Sequence, residues 1–203
     1  MPQYRFDIKQ NSDEWFALKV GKFSASTCAE LLMNKKTKGY TGLIDRIVEE
    51  RMTGNPTESK TFKGNQFTER GHELEPVARD DYEMRTFRDI AIIGVIELDD
   101  WVLCSPDGLI GEDGLWQAKC PIFNTQKSYL KSQKVPTNYY KQMQFELFVS
   151  GREYNVFNSY HPYLPAVDIV VKRDEEMITI IQQRIKEAKK EILNEIKLLK
   201  SFA

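Results

Sequence analysis

The sequence has few cysteines, few histidines and no long apolar run, and each shortage excludes a class of protein. Three cysteines among 203 residues are an odd number without C-x-x-C spacing, which argues against a disulfide framework or a zinc site and favours a reducing compartment. The two histidines are too far apart to suggest zinc. Without an apolar segment of signal-core or membrane-spanning length, we expect a cytoplasmic protein with no membrane partner.

Net charge is also close to zero. The 29 basic and 30 acidic residues give a formal charge of -1 at pH 7. A uniformly basic surface is therefore excluded, and contact with nucleic acid would need a local basic patch. The run 35–39 contains three lysines and a glycine, and we expect it to be a solvated loop rather than a phosphate-binding one.

Apolar spacing, capping residues and turn residues predict an α+β fold with a mixed central β-sheet flanked by helices. We predict helices at 13–19, 24–32, 41–54, 62–87, 123–132, 136–150 and 174–199, and strands at 90–98, 102–109, 115–120, 153–161 and 166–172. The first three strands follow one another through short turns and should form a meander. The C-terminal helix is long and carries one isoleucine-rich stripe.

A chain of this length can bury one sizeable core, so we expect a single domain over 1–203. Its predicted parts are an N-terminal helical part at 1–60, a core at 61–172 and the C-terminal helix at 173–203. A linker is predicted at 55–60, just before the core.

Two ionisable residues lie at one edge of the predicted sheet. Asp107 stands between Pro106 and Gly108, where the second strand loosens, and Lys119 lies in the otherwise apolar third strand. An aspartate followed one strand later by x-Lys is typical of metal-dependent nucleases. In that pattern the residue two before the lysine is acidic, whereas here it is Gln117.

The pattern suits phosphodiester hydrolysis because that reaction needs a cation, an activated water and stabilisation of the leaving oxygen. Oxygen ligands favour magnesium, or manganese in its place, as one ion or a pair. Asp107 can bridge such ions, the Ala118 carbonyl can add a neutral ligand, and Lys119 can orient the attacking water. The alternative for Lys119 is a strand lysine whose ammonium reaches solvent, and its position favours the functional interpretation.

Gln117 weakens the expected metal site. Glutamine keeps the size and one carbonyl oxygen of glutamate but loses the negative charge, so metal affinity and rate should fall. One explanation is a native glutamine in a protein related only in fold. The other, which we favour from the sequence, is a deliberate isosteric replacement that holds a substrate complex uncleaved.

Glu75 precedes a proline that is accepted in the first turn of a helix but disturbs an uninterrupted one. The segment 62–87 is therefore one long or kinked helix, with Glu75 at the kink or at the start of a new helical segment. Its carboxylate is either an exposed helix-start acid or is aimed at Asp107. The spacing alone does not decide between these two interpretations.

Five segments resemble the phage lambda exonuclease and YqaJ-type viral recombinase nucleases, which belong to the PD-(D/E)xK superfamily. The first two are CSPDGL at 104–109 and GLWQAKCP at 114–121. The others are Trp-x-x-x-Lys-x-Gly with Ser-Ala-Ser at 15–26, Gly-x-x-x-Glu at 71–75 and Gln-Met-Gln at 142–144. The resemblance covers most of the chain and implies a restriction-endonuclease-like nuclease core.

The resemblance implies a role for each matching residue of the active site. Asp107 would be the metal-bridging carboxylate, Gln117 would occupy the place of the second metal ligand, and Lys119 would orient the water. Glu75 and Gln144 would complete the active-site wall, with Glu75 as a further metal ligand.

The resemblance also implies a site for the 5'-phosphate of the degraded strand. Lys19 falls where the family carries a phosphate-binding arginine, with Ser26 and Ser105 as neighbouring hydroxyl donors. A lysine keeps the charge but lacks the bidentate fork, so the implied phosphate selectivity is lower. Independently of the resemblance, Lys127 and Lys131 share one face of their predicted helix. They either contact the DNA backbone or form a solvated face.

From the resemblance we expect a magnesium-dependent 5'-to-3' exonuclease, weakened by Gln117. It would degrade one strand of linear duplex DNA with 5'-phosphate ends and leave a 3' single strand for a partner annealing protein in phage-type recombination. The resemblance also implies a homo-trimer, encoded by a phage or prophage and present in the cytoplasm of a bacterial host. The alternatives are a catalytically inert DNA-end-binding protein of the same fold and an endonuclease of the same superfamily.

Overall fold

The chain folds into two β-sheets flanked by helices. The computed structural model describes residues 1–57 and 66–202, without the side chains of 66–69 and 72. The predicted boundary at residue 60 and the predicted helix start at residue 62 lie outside the described residues.

The helices and strands follow the chain in an irregular alternation. The helices are α1 (Asp13–Lys19), α2 (Cys28–Leu31), α3 (Lys38–Thr53), α4 (Gln66–Thr86), α5 (Phe123–Ser132), α6 (Thr137–Ser150) and α7 (Glu175–Lys200), with a short 3-10 turn at Ala25–Thr27. The strands are β1 (Gln3–Arg5), β2 (Phe23–Ser24), β3 (Ile90–Ala91), β4 (Val95–Asp99), β5 (Val102–Cys104), β6 (Gly108–Ile110), β7 (Gly114–Lys119), β8 (Tyr154–His161) and β9 (Leu164–Lys172).

Both sheets are mixed. The first has the order β1-β4-β5-β2, with β2 parallel to β5. The second has the order β3-β6-β7-β8-β9, in which β7 and β8 are parallel and the other neighbours antiparallel. The predicted α+β class with mixed, helix-flanked β-structure and a long C-terminal helix is therefore confirmed.

The predicted meander is wrong. The segment 90–98 divides into β3 and β4, and 102–109 divides into β5 and β6, so each segment passes from one sheet to the other. Gly94 lies in the first break, where a Cβ would stand 1.9 Å from a backbone carbonyl oxygen. Pro106 lies in the second break and has no N–H to donate to a neighbouring strand. Asp107 therefore lies in a crossing between the sheets.

Side-chain caps fix the starts of three helices. The side chains of Ser12 and Asp174 accept from backbone N–H groups in the first turns of α1 and α7. Thr37 does the same for α3, which therefore begins at Lys38, three residues earlier than predicted. The basic run 35–39 is a loop only in its first part.

Helix α7 belongs to the main core. Its buried side chains are Ile178, Ile181, Ile185, Ala188 and Ile192. The last four of these pack in the same cluster as apolar residues of α3 and of the first sheet, including Ile47 and Val102. Burial of one such large aliphatic side chain stabilises the fold by about 1.5–3 kcal/mol. Among the described helices, none is both long enough and apolar enough to cross a membrane.

Candidate active site

A cleft opens beside the end of β7, between the crossing that carries Asp107 and the helices α4, α5 and α6. Its volume is about 340 Å³. The lining residues are Gly71, Glu75, Asp107, Ala118, Lys119, Cys120, Pro121, Thr125, Tyr129 and Tyr139. Four of the predicted site residues, Glu75, Asp107, Ala118 and Lys119, are thus brought together.

Hydrogen bonds from N-terminal residues hold the crossing between β5 and β6 in place. The amide nitrogen of Gln10 donates to the carbonyl oxygen of Pro106 at 2.9 Å. The indole N–H of Trp15 donates to the hydroxyl of Ser105 at 2.9 Å. These bonds hold the two residues immediately before Asp107, and so they fix where its carboxylate enters the cleft.

The Asp107 carboxylate accepts two hydrogen bonds from β7. Its Oδ2 accepts from Gln117 Nε2 at 2.5 Å and from the backbone N–H of Ala118 at 2.8 Å. The other end of the Gln117 amide, Oε1, accepts from Gln142 Nε2 at 3.0 Å. Gln117 is 2% exposed, so both ends of its amide are held inside the protein and its donor end faces the carboxylate.

Glu75 faces the same cleft, which favours the functional interpretation over that of an exposed helix-start acid. Helix α4 continues through Pro76, and Glu75 is half-buried on it. Burial, followed by the negative charge of Asp107, raises the pKa of Glu75 to about 7, while Lys119 opposes the rise. The two carboxylates are therefore close enough to repel each other.

Lys119 is the last residue of β7, and its ammonium lies beside an aromatic wall. Its Nζ is 5.1 Å from the centroid of the Tyr139 ring, within the range of a cation–π interaction. The same ammonium acts electrostatically on Glu75. The cleft thus combines two acids and one cation.

The structure does not bring Gln144 to this cleft. Its amide donates to the carbonyl of Lys172 at 2.8 Å and accepts from the N–H of Asp174 at 2.9 Å. These bonds connect α6 with the segment where α7 begins. Gln142 contacts Gln117 instead. Residues two apart on a helix point about 200° apart, so only one of the two glutamines can face the site.

The oxygen donors of the cleft fit a hard divalent cation. Asp107, Glu75 and the Ala118 carbonyl are the ligand types that magnesium and manganese prefer. A cation between the two carboxylates would relieve the repulsion that raises the pKa of Glu75. In the described ranges, however, no three acidic, histidine or cysteine side chains converge as a metal-binding group. The set therefore fits a weak site with two carboxylates and neutral ligands.

Two of the residues predicted to bind the 5'-phosphate, Lys19 and Ser105, contact Trp15. The Lys19 ammonium is 3.7 Å from the centroid of the Trp15 ring, and the indole nitrogen bonds Ser105. Ser26 is exposed in the turn after β2, with its hydroxyl 3.0 Å from that of Ser24. Trp15 thus connects Lys19 with Ser105, the residue two before Asp107.

Arg46 is a further cation near the predicted phosphate site, and the sequence alone did not indicate it. Its Nη1 donates to Glu50 at 3.3 Å, while its Nη2 is buried and has no partner among the described residues. Its charge acts on Lys19. A buried guanidinium nitrogen without a partner among the described residues, within electrostatic reach of the Lys19 ammonium, favours an anion as ligand. The only sequence signal was an arginine four residues before a glutamate on α3.

Burial, followed by the charge of Arg46, lowers the pKa of Lys19 from 10.5 to about 8. The folded state therefore holds the ammonium less favourably than the unfolded chain does, a penalty that is full below about pH 8 and fades toward pH 10.5. Lys19→Met is expected to raise the free energy of unfolding by about 1–2 kcal/mol at pH 7 and by less at pH 10. Urea unfolding at both pH values measures this.

Lys22→Met is the matched control for that measurement. Its ammonium is paired with Glu97 at 2.8 Å, so its removal should lower the free energy of unfolding or leave it unchanged. An equal gain from both variants, or a gain for Lys19→Met that grows with pH, would contradict the assignment.

Lys127 and Lys131 lie on the exposed face of α5, as their spacing predicts. With Asn124, Ser128 and Ser132 they line an open groove of about 470 Å³. Other residues of the same helix, Thr125 and Tyr129, line the cleft. The two lysines therefore flank the candidate active site without entering it.

Fold and cleft together define a restriction-endonuclease-like α+β nuclease. The chain matches the crystal structure of the alkaline exonuclease LHK-Exo from Laribacter hongkongensis with a TM-score of 0.85 and 31% identity, over 94% of this chain and 97% of that one. The same values hold for LHK-Exo in complex with dAMP. A phage-related exonuclease from Haemophilus somnus 129PT shares the fold, with a TM-score of 0.66 and 15% identity, over 90% and 96% of the two chains. No curated protein sequence matches the chain.

A match to a known domain family shows the family of this chain. The YqaJ-like viral recombinase domain matches residues 14–153, more than half of the chain. The chain belongs to this family, and the predicted resemblance is confirmed.

Proposed function

We propose that the protein is a magnesium-dependent deoxyribonuclease that degrades the 5'-ended strand of linear duplex DNA and leaves a 3' overhang. The observation that carries the proposal is one cleft lined by Asp107, Glu75 and Lys119, in a chain 31% identical to an alkaline exonuclease. LHK-Exo binds dAMP, which supports a single nucleotide as the product that leaves the cleft.

Each side chain of the cleft has a proposed task. Asp107, Glu75 and the Ala118 carbonyl would hold one or two magnesium ions, or manganese, which supply charge neutralisation and a more acidic water. Lys119 orients the attacking water, and its ammonium offsets the negative charge that develops on the phosphate. Gln117 contributes no negative charge, so we expect metal affinity and rate to be low.

The 5'-phosphate site gives the proposed enzyme its polarity. Lys19 and Arg46 supply positive charge, and Ser26 and Ser105 supply hydroxyl donors. Backbone contacts from the exposed lysines of α5 would add affinity that depends on salt and not on sequence. The product strand would pass to a single-strand annealing protein, and we propose a homo-trimer acting in the cytoplasm of a phage-infected or prophage-carrying bacterium.

A DNA-end-binding protein without activity is the second candidate. It is favoured by one observation: the Gln117 amide places a hydrogen-bond donor, not an anionic ligand, against Asp107. Such a protein would retain the phosphate site and lack turnover.

Nucleotide release distinguishes the candidates. The chain and its Gln117→Glu variant are incubated with magnesium and either 5'-phosphorylated linear duplex or closed circular DNA. Release from linear DNA alone, faster for Gln117→Glu, is the expected result. No activity from either protein would favour the end-binding candidate, and cutting of closed circles would favour an endonuclease.

Lys19→Ala is expected to reduce the preference for a 5'-phosphate over a 5'-hydroxyl end by about tenfold, because one charge-assisted contact is lost. Initial rates on the two kinds of end measure this preference. Lys22→Ala, which removes a nearby lysine already paired with Glu97, should keep the preference. Equal rates on both ends before and after the change would exclude Lys19 from phosphate recognition.

A further inference from the structure

Two amides connect the Asp107 carboxylate with a second, fully buried carboxylate behind the cleft. Gln142 Nε2 donates both to Gln117 Oε1 at 3.0 Å and to Glu146 Oε1 at 2.9 Å. Asn155 Nδ2 donates to Glu146 Oε2 at 2.7 Å. Glu146 is 0% exposed, so its carboxylate is bonded from two sides within the protein interior.

Asp107, Gln117, Gln142 and Glu146 form a relay of hydrogen bonds. The two carboxylates at its ends determine which way each amide is turned. In its ionised form, above a pKa of about 7, the Glu146 carboxylate only accepts hydrogen bonds and requires Gln142 to present its NH2 group. That NH2 group has a second hydrogen, which it donates to the oxygen of Gln117. Gln117 is then left with its own NH2 group toward Asp107.

Glu146 is within electrostatic reach of the cleft. Burial, foremost, raises the pKa of Glu146 to about 7, and the negative charge of Asp107 adds to the rise while Lys119 and the bonds from Gln142 and Asn155 oppose it. A buried acid of this kind destabilises the fold unless its bonds are retained. Its place beside Gln142, the residue that bonds Gln117, therefore needs a reason.

We propose that Glu146 is a positioning residue of the active site, which acts through Gln142 to keep the carbonyl oxygen of Gln117 turned away from the cleft. The proposal rests on the proposed metal-dependent function. A divalent cation held by Asp107 would compete with the Gln117 NH2 group for that carboxylate. The Glu146 end of the relay still holds the Gln117 oxygen, because a reversed Gln117 would set its NH2 group against that of Gln142.

The consequence is that Gln117 is not a metal ligand, although its position implies one. Without Glu146 the Gln142 amide can turn over and accept from Gln117, which frees the Gln117 oxygen for the metal. Loss of a buried carboxylate should therefore increase metal affinity. A residue with a purely structural role would have the opposite effect when removed.

The test is a titration of the metal-free protein with Mn²⁺ alone, without DNA. Glu146→Leu is expected to bind Mn²⁺ about tenfold more tightly than the parent chain, the scale on which bonds to metal ligands alter affinity. Gln142→Met cuts the same relay at a less buried position and should give the same gain, so the test does not depend on the folding of one variant. Unchanged or weaker binding in both variants would overturn the proposal.

Three further variants make the result specific. Glu146→Gln should stay within about twofold of the parent, because its oxygen can accept from Gln142 and its NH2 group can donate to Asn155 Oδ1, which is buried without a partner among the described residues. Val149→Ala truncates a buried side chain of the same helix outside the relay and should not tighten binding. In a Gln117→Leu background, Glu146→Leu should have no effect, and a persisting gain would overturn the relay.

These measurements are separate from the test of the proposed function. Mn²⁺ affinity reports the relay without any turnover. A protein that shows the predicted gain but releases no nucleotides would retain the inference and lose the exonuclease proposal. Nucleotide release with no change in Mn²⁺ affinity would retain the exonuclease proposal and overturn the inference about Glu146.

Discussion

Gln117→Glu is expected to raise the rate of nucleotide release from linear duplex DNA on the order of 100-fold at a fixed, subsaturating magnesium concentration. The parent amide donates to Asp107 at 2.5 Å and brings no charge. A glutamate restores an anionic oxygen ligand beside Asp107 and Glu75, and the attraction of a divalent ion for three carboxylates exceeds that for two. Initial rates at several magnesium concentrations measure the gain.

The same variant should be less stable without metal. Its new carboxylate would stand where an NH2 group now donates to Asp107, so a stabilising bond becomes a like-charge contact. In EDTA we expect the free energy of unfolding to fall by about 1–3 kcal/mol, and magnesium should restore it by binding only the folded state. Increased stability in EDTA, or an unchanged rate with magnesium, would contradict the proposed arrangement.

Asp107→Asn is expected to reduce nucleotide release on the order of 1000-fold or more, even when Glu is present at position 117. Asparagine is nearly isosteric and can still accept from the Ala118 N–H, so the fold should persist. The loss would come from the missing negative charge on the residue that we propose holds the metal. Rates measured in the Gln117→Glu background make the full decrease visible.

Asp113→Asn provides the matched control for that loss. Asp113 is exposed in the turn before β7, and it is its backbone carbonyl, not its side chain, that accepts from Glu153 and Tyr154. The control should therefore keep its rate within about twofold. A similar decrease in both variants would indicate a general effect of negative charge on the protein.

Signals contained in a short stretch of sequence predicted the structure well. The helix predicted at 123–132 has those bounds in the structure, and Ser12 caps α1 as expected. The stripe from Ile178 to Ile192 is buried. Capping and helical periodicity are local properties, so a single sequence contains them.

What the sequence could not supply are contacts between distant segments. Pro106 and Gly94 are visible as strand breakers, but the sequence does not say that the chain changes sheets at each of them. The choice of Gln142 over Gln144 depends on which face of α6 meets β7. Arg46 joins Lys19 only through tertiary packing.

The environment of Gln117 bears on the two explanations of this residue. Its oxygen and its nitrogen are both bonded, and the glutamine that bonds the oxygen is itself held by Glu146. A glutamate at this position could accept the same bond from Gln142, and only the bond donated to Asp107 requires an amide. The buried relay is therefore consistent with both a native glutamine and an isosteric replacement of a glutamate.

Trp15 fixes the spacing between Lys19 and Asp107 in the proposed enzyme. One face of its ring contacts Lys19 at 3.7 Å, and its edge bonds Ser105 at 2.9 Å, two residues before Asp107. The distance from Lys19, the proposed phosphate-binding cation, to Asp107, the proposed catalytic carboxylate, is thus set by one rigid ring and two peptide units. In the proposed exonuclease, this distance would determine how far the strand advances before each cut.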